Sequence, residues 1–197
     1  TGAIAESVAA EISGVTVLHR PGKAGLGSAY REGFAQVLDG RYDVVVSMDA
    51  DFSHHPRELP KFLAKLETCD MVVGSRYVEG GGSSEWGFWR PLLSFLANKY
   101  IALVAGVPIR DTTSGFRAYR RAVLEETEFD RIRIRGYVVH GEMAYQAWVH
   151  GFRLGEVPIH FKNRARAASK LSGEEIYVAL LNFALLRFRY GLRPRKR

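Results

Sequence analysis

Cysteine is almost absent from the 197 residues, since Cys69 stands alone. That excludes an internal disulfide and any CxxC metal site, and it fits a reducing compartment. Long apolar runs are missing as well. The longest near the carboxyl end, Ile176 to Leu186, is interrupted by Asn182 and falls well short of the ~20 residues that cross a bilayer, so no membrane span is expected. No secretory leader is read at the amino end. Acidic residues are in deficit, 21 Asp and Glu against 28 Lys and Arg, which leaves a formal net charge of +7. Such a surplus points to an anionic partner: nucleic acid, a phosphorylated substrate or an acidic membrane surface. No RNP sequence or zinc finger occurs, which argues against nucleic acid and leaves a basic, non-catalytic binder as a minor alternative. The remainder is ordinary globular composition, 47% hydrophobic and 25% charged, in a chain long enough for one domain with a proper core.

The most informative stretch is Tyr42 to Pro56, YDVVVSMDADFSHHP. Val44 to Met48 reads as a short β-branched strand buried on both faces of a parallel sheet, and it ends in Asp49-Ala50-Asp51. Side chains alternate along a strand, so Asp49 and Asp51 project to the same side, at the carboxyl edge where open α/β sheets place ligands. Two like charges there call for a cation, and a hard divalent ion such as Mg²⁺ or Mn²⁺, shared with substrate phosphates, suits their oxygens. A lone DxD is weak evidence, because Asp51 or Ser53 could equally cap the helix opening near Pro56.

Around it the chain reads as a helix (Thr1 to Ser13, with Ile4, Val8 and Ile12 on one face) and a strand (Val15 to Leu18). A Gly-rich turn, Arg20 to Ser28, then leads into a helix from Ala29 to Leu38. The turn fails the Walker pattern because Lys23 precedes Ala24, and the dinucleotide fingerprint because Tyr30 stands at the third glycine position; Lys23 facing a nucleotide stays open beside simple turn chemistry. Further on come a helix from Pro56 to Leu66, a strand from Met71 to Val73 running into Arg76, and a loop-like EGGGSSEWG from Glu79. Arg90 to Val104 is an amphipathic helix with Arg90 and Ser94 on one face. Asp111 to Arg117 is a polar turn feeding a strand; Tyr137 to His150 is helical, and Phe152 to Phe161 is a strand whose Pro158 puts it at an edge. His140-Gly141-Glu142 lacks the paired cysteines of a zinc deaminase, and His54 and His55 read as polar loop groups. Lys162 to Lys170 is a basic loop, Ser172 and Glu175 form a capping box, and six cations without an acid run from Arg187 to Arg197. The last helix therefore reads either as one lying on an anionic membrane surface or as a core helix with a basic tail.

Taken in order and spacing, MDADFSHHP, GSRYVEGG, DTTSGFRAYRR and EVPIHFKNRARAASKLS resemble the polyprenyl-phosphate mannosyltransferases, the dolichyl-phosphate mannose synthase type of inverting GT-A glycosyltransferase. The resemblance implies an α/β GT-A fold, Rossmann-like, with a mostly parallel sheet flanked by helices. It implies a GDP-mannose donor, with UDP-glucose as the alternative, a polyprenyl monophosphate acceptor and bound Mg²⁺ or Mn²⁺. It further implies a peripheral place on the cytoplasmic face of the membrane, with a separate membrane-protein partner left open. By motif, Asp49 and Asp51 hold the metal and donor diphosphate. Arg76, Arg90, Ser94, Arg164 and Lys170 gather phosphates together with Lys23 and Arg117, and Asp111 lies near the sugar. Residues 1–171 form the catalytic domain and 172–197 the basic, membrane-facing helix and tail. Two departures stand out. Ala167 or Ala168 stands where many relatives carry Gly, and the opening strands that hold the base and ribose are not found, so an amino-terminal βαβ portion is expected to be lacking.

Overall fold

The computed structural model describes residues 1–22, 24–84, 89–132, 139–162 and 173–191. Four strands, β1 (Val44–Ser47), β2 (Met71–Ser75), β4 (Arg117–Arg120) and β5 (Leu154–Pro158), form one sheet in the order β1, β4, β2, β5. β3 (Gly82–Ser84) and β6 (His160–Lys162) form a separate parallel pair. Within the four-stranded sheet β4 runs antiparallel to both its neighbours, and among the described residues only the β2–β5 pair is parallel there, so the sheet is mixed, which corrects the expectation of a mostly parallel one. The reversal places the polar turn that precedes β4 at the same edge as the carboxyl ends of β1, β2 and β5. That edge collects the chemistry.

The strand interior follows period-two alternation. Met71 and Val73 enter a large apolar cluster with Phe34, Tyr119, Met143 and Phe183, while Val72 enters a second cluster with Phe62, Phe116 and Ile159 on the opposite face. All five residues of β2 are buried, as a central strand requires. β1, in contrast, ends the sheet and is only half-buried, so the reading of a strand covered on both faces is corrected. β5 is the other edge, as Pro158 implied, and the single strand expected over Phe152 to Phe161 divides there into β5 and β6. Proline has no amide hydrogen to continue the ladder.

Helices α2 (Leu26–Asp39), α3 (Leu59–Lys65), α4 (Trp89–Ala105), α6 (Val139–Val149) and α7 (Gly173–Tyr190) surround the sheet, with the short α5 (Arg121–Glu125) after β4. α1 (Gly2–Glu11) stands apart, for none of its residues is buried and Ile4 is 72% exposed. Val15 to Leu18 forms no strand, because nothing among the described residues pairs with it. α7 is a core helix on one side, where Phe183 and Leu186 are fully buried, and exposes Leu181, Leu185 and Phe188 on the other. Gly141 is what admits it, since a Cβ there would sit 2.3 Å from the Phe183 ring.

Candidate active site

The acidic turn is fixed at both ends by hydrogen bonds from backbone to side chain. The Asp49 amide donates to Nδ1 of His54 at 2.9 Å, and the Ser53 amide donates to Oδ1 of Asp51 at 3.0 Å. Between them Phe52 takes a left-handed conformation, φ 63°, and stands 81% exposed. A bulky side chain in that region costs roughly 1 to 2 kcal/mol, which the two flanking bonds offset. An amide only donates, so Nδ1 of His54 carries no proton and the ring is the neutral Nε2–H tautomer. The 4.0 Å approach of Nδ1 to Asp49 Oδ2 is therefore no ion pair. Burial holds the imidazole below its ordinary range, against the opposing pull of Asp49 and Asp51. His54 also feels Arg76 and Asp111, which brings the acidic turn and the next strand end into one electrostatic neighbourhood.

That second strand end is a buried ion pair. Nε of Arg76 donates to Asp111 Oδ2 at 2.8 Å and Nη2 to Oδ1 at 2.9 Å, a two-pronged contact reinforced by the Arg76 amide on Oδ2 at 3.1 Å. Burial alone would raise the Asp111 carboxyl, but the Arg76 charge and its hydrogen bonds outweigh that and hold the group below the usual carboxylate range. Thr113 bridges the pair, accepting from Nη2 at 2.9 Å and donating to Asp111 Oδ1 at 3.2 Å. Glu156, on β5, accepts the Asp111 amide at 3.1 Å. From α4, Asn98 accepts both the amide and the hydroxyl of Thr112, at 2.8 and 2.7 Å. Ser94, one turn earlier, accepts the Tyr77 hydroxyl at 2.7 Å.

The structure thus brings Asp49, Asp51, Arg76, Asp111 and Ser94 to one sheet edge. It does not offer Arg117 to a ligand. That guanidinium is fully buried and donates to the carbonyls of Ser114, His140 and Thr112, so the phosphate-binding reading of Arg117 is corrected: it supports the turn that carries Asp111. Arg90 lies in the first turn of α4 with its side chain outside the description. Lys23, Arg164, Lys170 and the capping pair Ser172 and Glu175 likewise fall wholly or in their side chains outside the described residues.

Four participants escaped the sequence reading: His54, Asn98, Thr113 and Glu156. Asn98 carried a signal, for it continues the four-residue spacing of Arg90 and Ser94 along one helix face. His54 carried little, because a histidine after a turn says nothing of where its ring folds.

No group of three or more His, Cys, Asp or Glu that would enclose a metal occurs among the described residues. The donor set is two carboxylates that reach solvent, with the Asp49 side chain 35% exposed. This suits a hard cation that takes its other ligands from water and substrate, and it does not suit zinc.

The acidic turn and the paired arginine thus stand at the carboxyl edge, where α/β sheets bind their ligands. The solved structures agree on the fold. Glucosyl-3-phosphoglycerate synthase from Mycobacterium tuberculosis, crystallised with Mn²⁺, UDP and phosphoglyceric acid, aligns at TM-score 0.58 and 18% identity over 91% of this chain. The chain spans 57% of that protein's length. A second structure, described as a mycobacterial protein, aligns at TM-score 0.63 and 16% identity over 96% of this chain and 61% of its own. The model of glycosyl transferase family 2 matches residues 1–127. Polyprenol monophosphomannose synthase of Mycolicibacterium smegmatis is 42% identical over 99% of this chain and 73% of its own length. Undecaprenyl-phosphate mannosyltransferase of Micrococcus luteus is 40% identical over 99% and 79%. The chain belongs to glycosyl transferase family 2.

Proposed function

We propose that this protein transfers mannose from GDP-mannose to a polyprenyl monophosphate with inversion, giving polyprenyl phosphate mannose. The observation that carries the reading is the pairing of an acidic turn, Asp49 to Asp51, with the Arg76–Asp111 pair at one sheet edge. Identity of about 40% with two relatives named for polyprenyl-phosphate mannose synthesis supports the choice of sugar and acceptor.

Asp49 and Asp51 would hold Mg²⁺ or Mn²⁺. When bound, the ion supplies positive charge against the leaving diphosphate. The acceptor needs little activation, because a phosphate monoester with a second pKa near ~6 is largely dianionic at neutral pH. Its oxygen attacks the anomeric carbon, the carbon–oxygen bond to the diphosphate breaks on the opposite face, and the electron pair leaves with GDP. Arg76, whose Nε and Nη2 are committed to Asp111 and Thr113, contributes positive charge behind the donor phosphates rather than a free fork for their oxygens. Asp111 is a positioning residue and a poor base: both its oxygens are engaged by Arg76, and its proton affinity is lowered. Ser94, Arg90, Arg164 and Lys170 complete the phosphate-binding set in this reading, with Lys23 at the nucleotide.

The lipid acceptor places the protein at a membrane surface. No described helix is long and apolar enough to cross one. α7 shows Leu181, Leu185 and Phe188 to solvent at helical spacing, Phe188 being 88% exposed, and α4, packed on α7, shows Leu93, Leu96 and Leu103. With the basic residues from Arg187 onward these stripes suit an anionic leaflet at its cytoplasmic face. The test is transfer of labelled sugar to a short polyprenyl phosphate from GDP-mannose and from UDP-glucose in parallel. Transfer from GDP-mannose alone is expected. Transfer from UDP-glucose would replace the donor, and none from either would remove the proposal.

A further inference from the structure

His54 sits where three structural facts meet. Its ring is 2% exposed as a side chain, stacks on Phe116 at 5.0 Å and meets the edge of Phe161 at 5.7 Å. Phe116 in turn packs on Phe62 at 4.4 Å, so the ring rests on the deepest aromatic layer of one core face. Phe161 also lies under the Arg76 guanidinium, 5.7 Å from ring centre to Cζ. One wall of rings therefore joins the acidic turn to the arginine. At the turn itself Nδ1 accepts the Asp49 amide, the backbone group of the first carboxylate residue. β6 braces the same turn through the Lys162 amide and the Ser53 carbonyl at 3.4 Å.

An exposed turn with a left-handed phenylalanine has many alternative conformations, and two carboxylates left to repel each other favour those that separate them. The ring denies the turn that freedom at the cost of burying an imidazole. A packing residue alone would be served better by leucine or phenylalanine, which bury no polar nitrogen. The choice of histidine is explained by the acceptor atom.

We infer that His54 is a positioning residue for the cation site: its Nδ1 holds the Asp49 amide so that Asp49 and Asp51 are presented together, in fixed relation to Arg76, before any ion arrives. This rests on the reading of Asp49 and Asp51 as cation ligands and adds a residue that sets their geometry. The reach of the accepting atom matters more than the ring, because the Oδ1 of asparagine stands about where Nδ1 stands, whereas phenylalanine keeps the stacking and loses the acceptor.

The two roles separate in a crossed pair of variants. Mn²⁺ binding to the purified protein is measured by the EPR signal of free Mn²⁺, alone and with GDP, beside thermal unfolding by circular dichroism. His54→Phe is expected to unfold near the wild-type temperature yet bind Mn²⁺ about tenfold or more weakly, the range typical when a group that orients a metal ligand is lost. His54→Asn is expected to unfold earlier yet bind Mn²⁺ within about threefold of wild type. Wild-type affinity in His54→Phe, or equal loss in both variants when both are folded, overturns the positioning role and leaves a packing residue. Should the wild type bind no Mn²⁺ in either arm, it is the cation reading of Asp49 and Asp51 that fails.

Discussion

Asp111 illustrates how one buried carboxylate serves a site without touching the reaction. It is wholly inaccessible, and its charge compensates an arginine whose side chain is only 9% exposed. Breaking such a pair by neutralising one member leaves the other buried and uncompensated, which costs about 3 kcal/mol or more. Asp111→Asn is therefore expected to lower the unfolding temperature clearly and to slow transfer. The pH dependence follows from the direction of the shift. A carboxyl held below its ordinary value contributes stability that is complete above the unfolded value, about 3.9, and is lost only as pH falls through the lower folded value. The gap in unfolding temperature between wild type and Asp111→Asn should stay constant from pH 8 to about 5. A gap that closes across that interval would show that Asp111 is not ionised in the fold. His140 tells a related story with opposite chemistry, for burial and then Arg117 push it well below its ordinary range and keep it neutral beside Tyr30, 4.8 Å away.

Among the elements, α7 is the one whose two faces do different things. Its inner face is tied to α6 by more than Phe183, since Glu142 accepts from Nη1 of Arg189 at 3.0 Å and from the Tyr190 hydroxyl at 2.9 Å. The core-helix reading of the last segment thus holds for that face, where α7 packs on α4 and α6. The outer stripe faces solvent, with Phe188 88% exposed. Charged substitutions there, Leu185→Glu with Phe188→Glu, should leave the unfolding free energy within about 0.5 kcal/mol of wild type. They should also reduce cosedimentation with vesicles containing phosphatidylserine. Undiminished sedimentation would place the membrane contact elsewhere. α4 has an analogous division, with Asn98 and Ser94 turned to the site and Leu96 and Leu103 to solvent, so one helix links the lipid-facing side to the phosphate-facing side.

At the scale of the whole molecule, local chemistry was legible and pairing was not. Asp49, Asp51 and Arg76 stood at strand ends because an apolar run stopped at a charge, a signal contained in a few adjacent residues. The direction of β4 was hidden, because its partners lie some 45 and 70 positions upstream and an alternating strand reads the same in either direction. Val15 to Leu18 had the composition of a strand but pairs with nothing among the described residues, and α1 had a helical pattern yet buries none of its residues. Arg117 was misread for a similar reason: only the fold shows that three carbonyls surround it, while the sequence offers a basic residue in a polar motif. His54 was invisible because its value depends on a ring folding back onto an amide five residues earlier.

The account stands or falls on whether the acidic turn carries the transfer. The most direct measurement is release of GDP coupled to labelled mannose transfer onto a polyprenyl phosphate by wild type and Asp51→Asn, each with Mn²⁺ and with chelator, both shown to be folded. The account predicts turnover by wild type with Mn²⁺, none with chelator, and a loss of about a thousandfold or more in Asp51→Asn, the scale at which removing charge stabilisation of a leaving group is felt. Turnover that survives both the chelator and the substitution would contradict it.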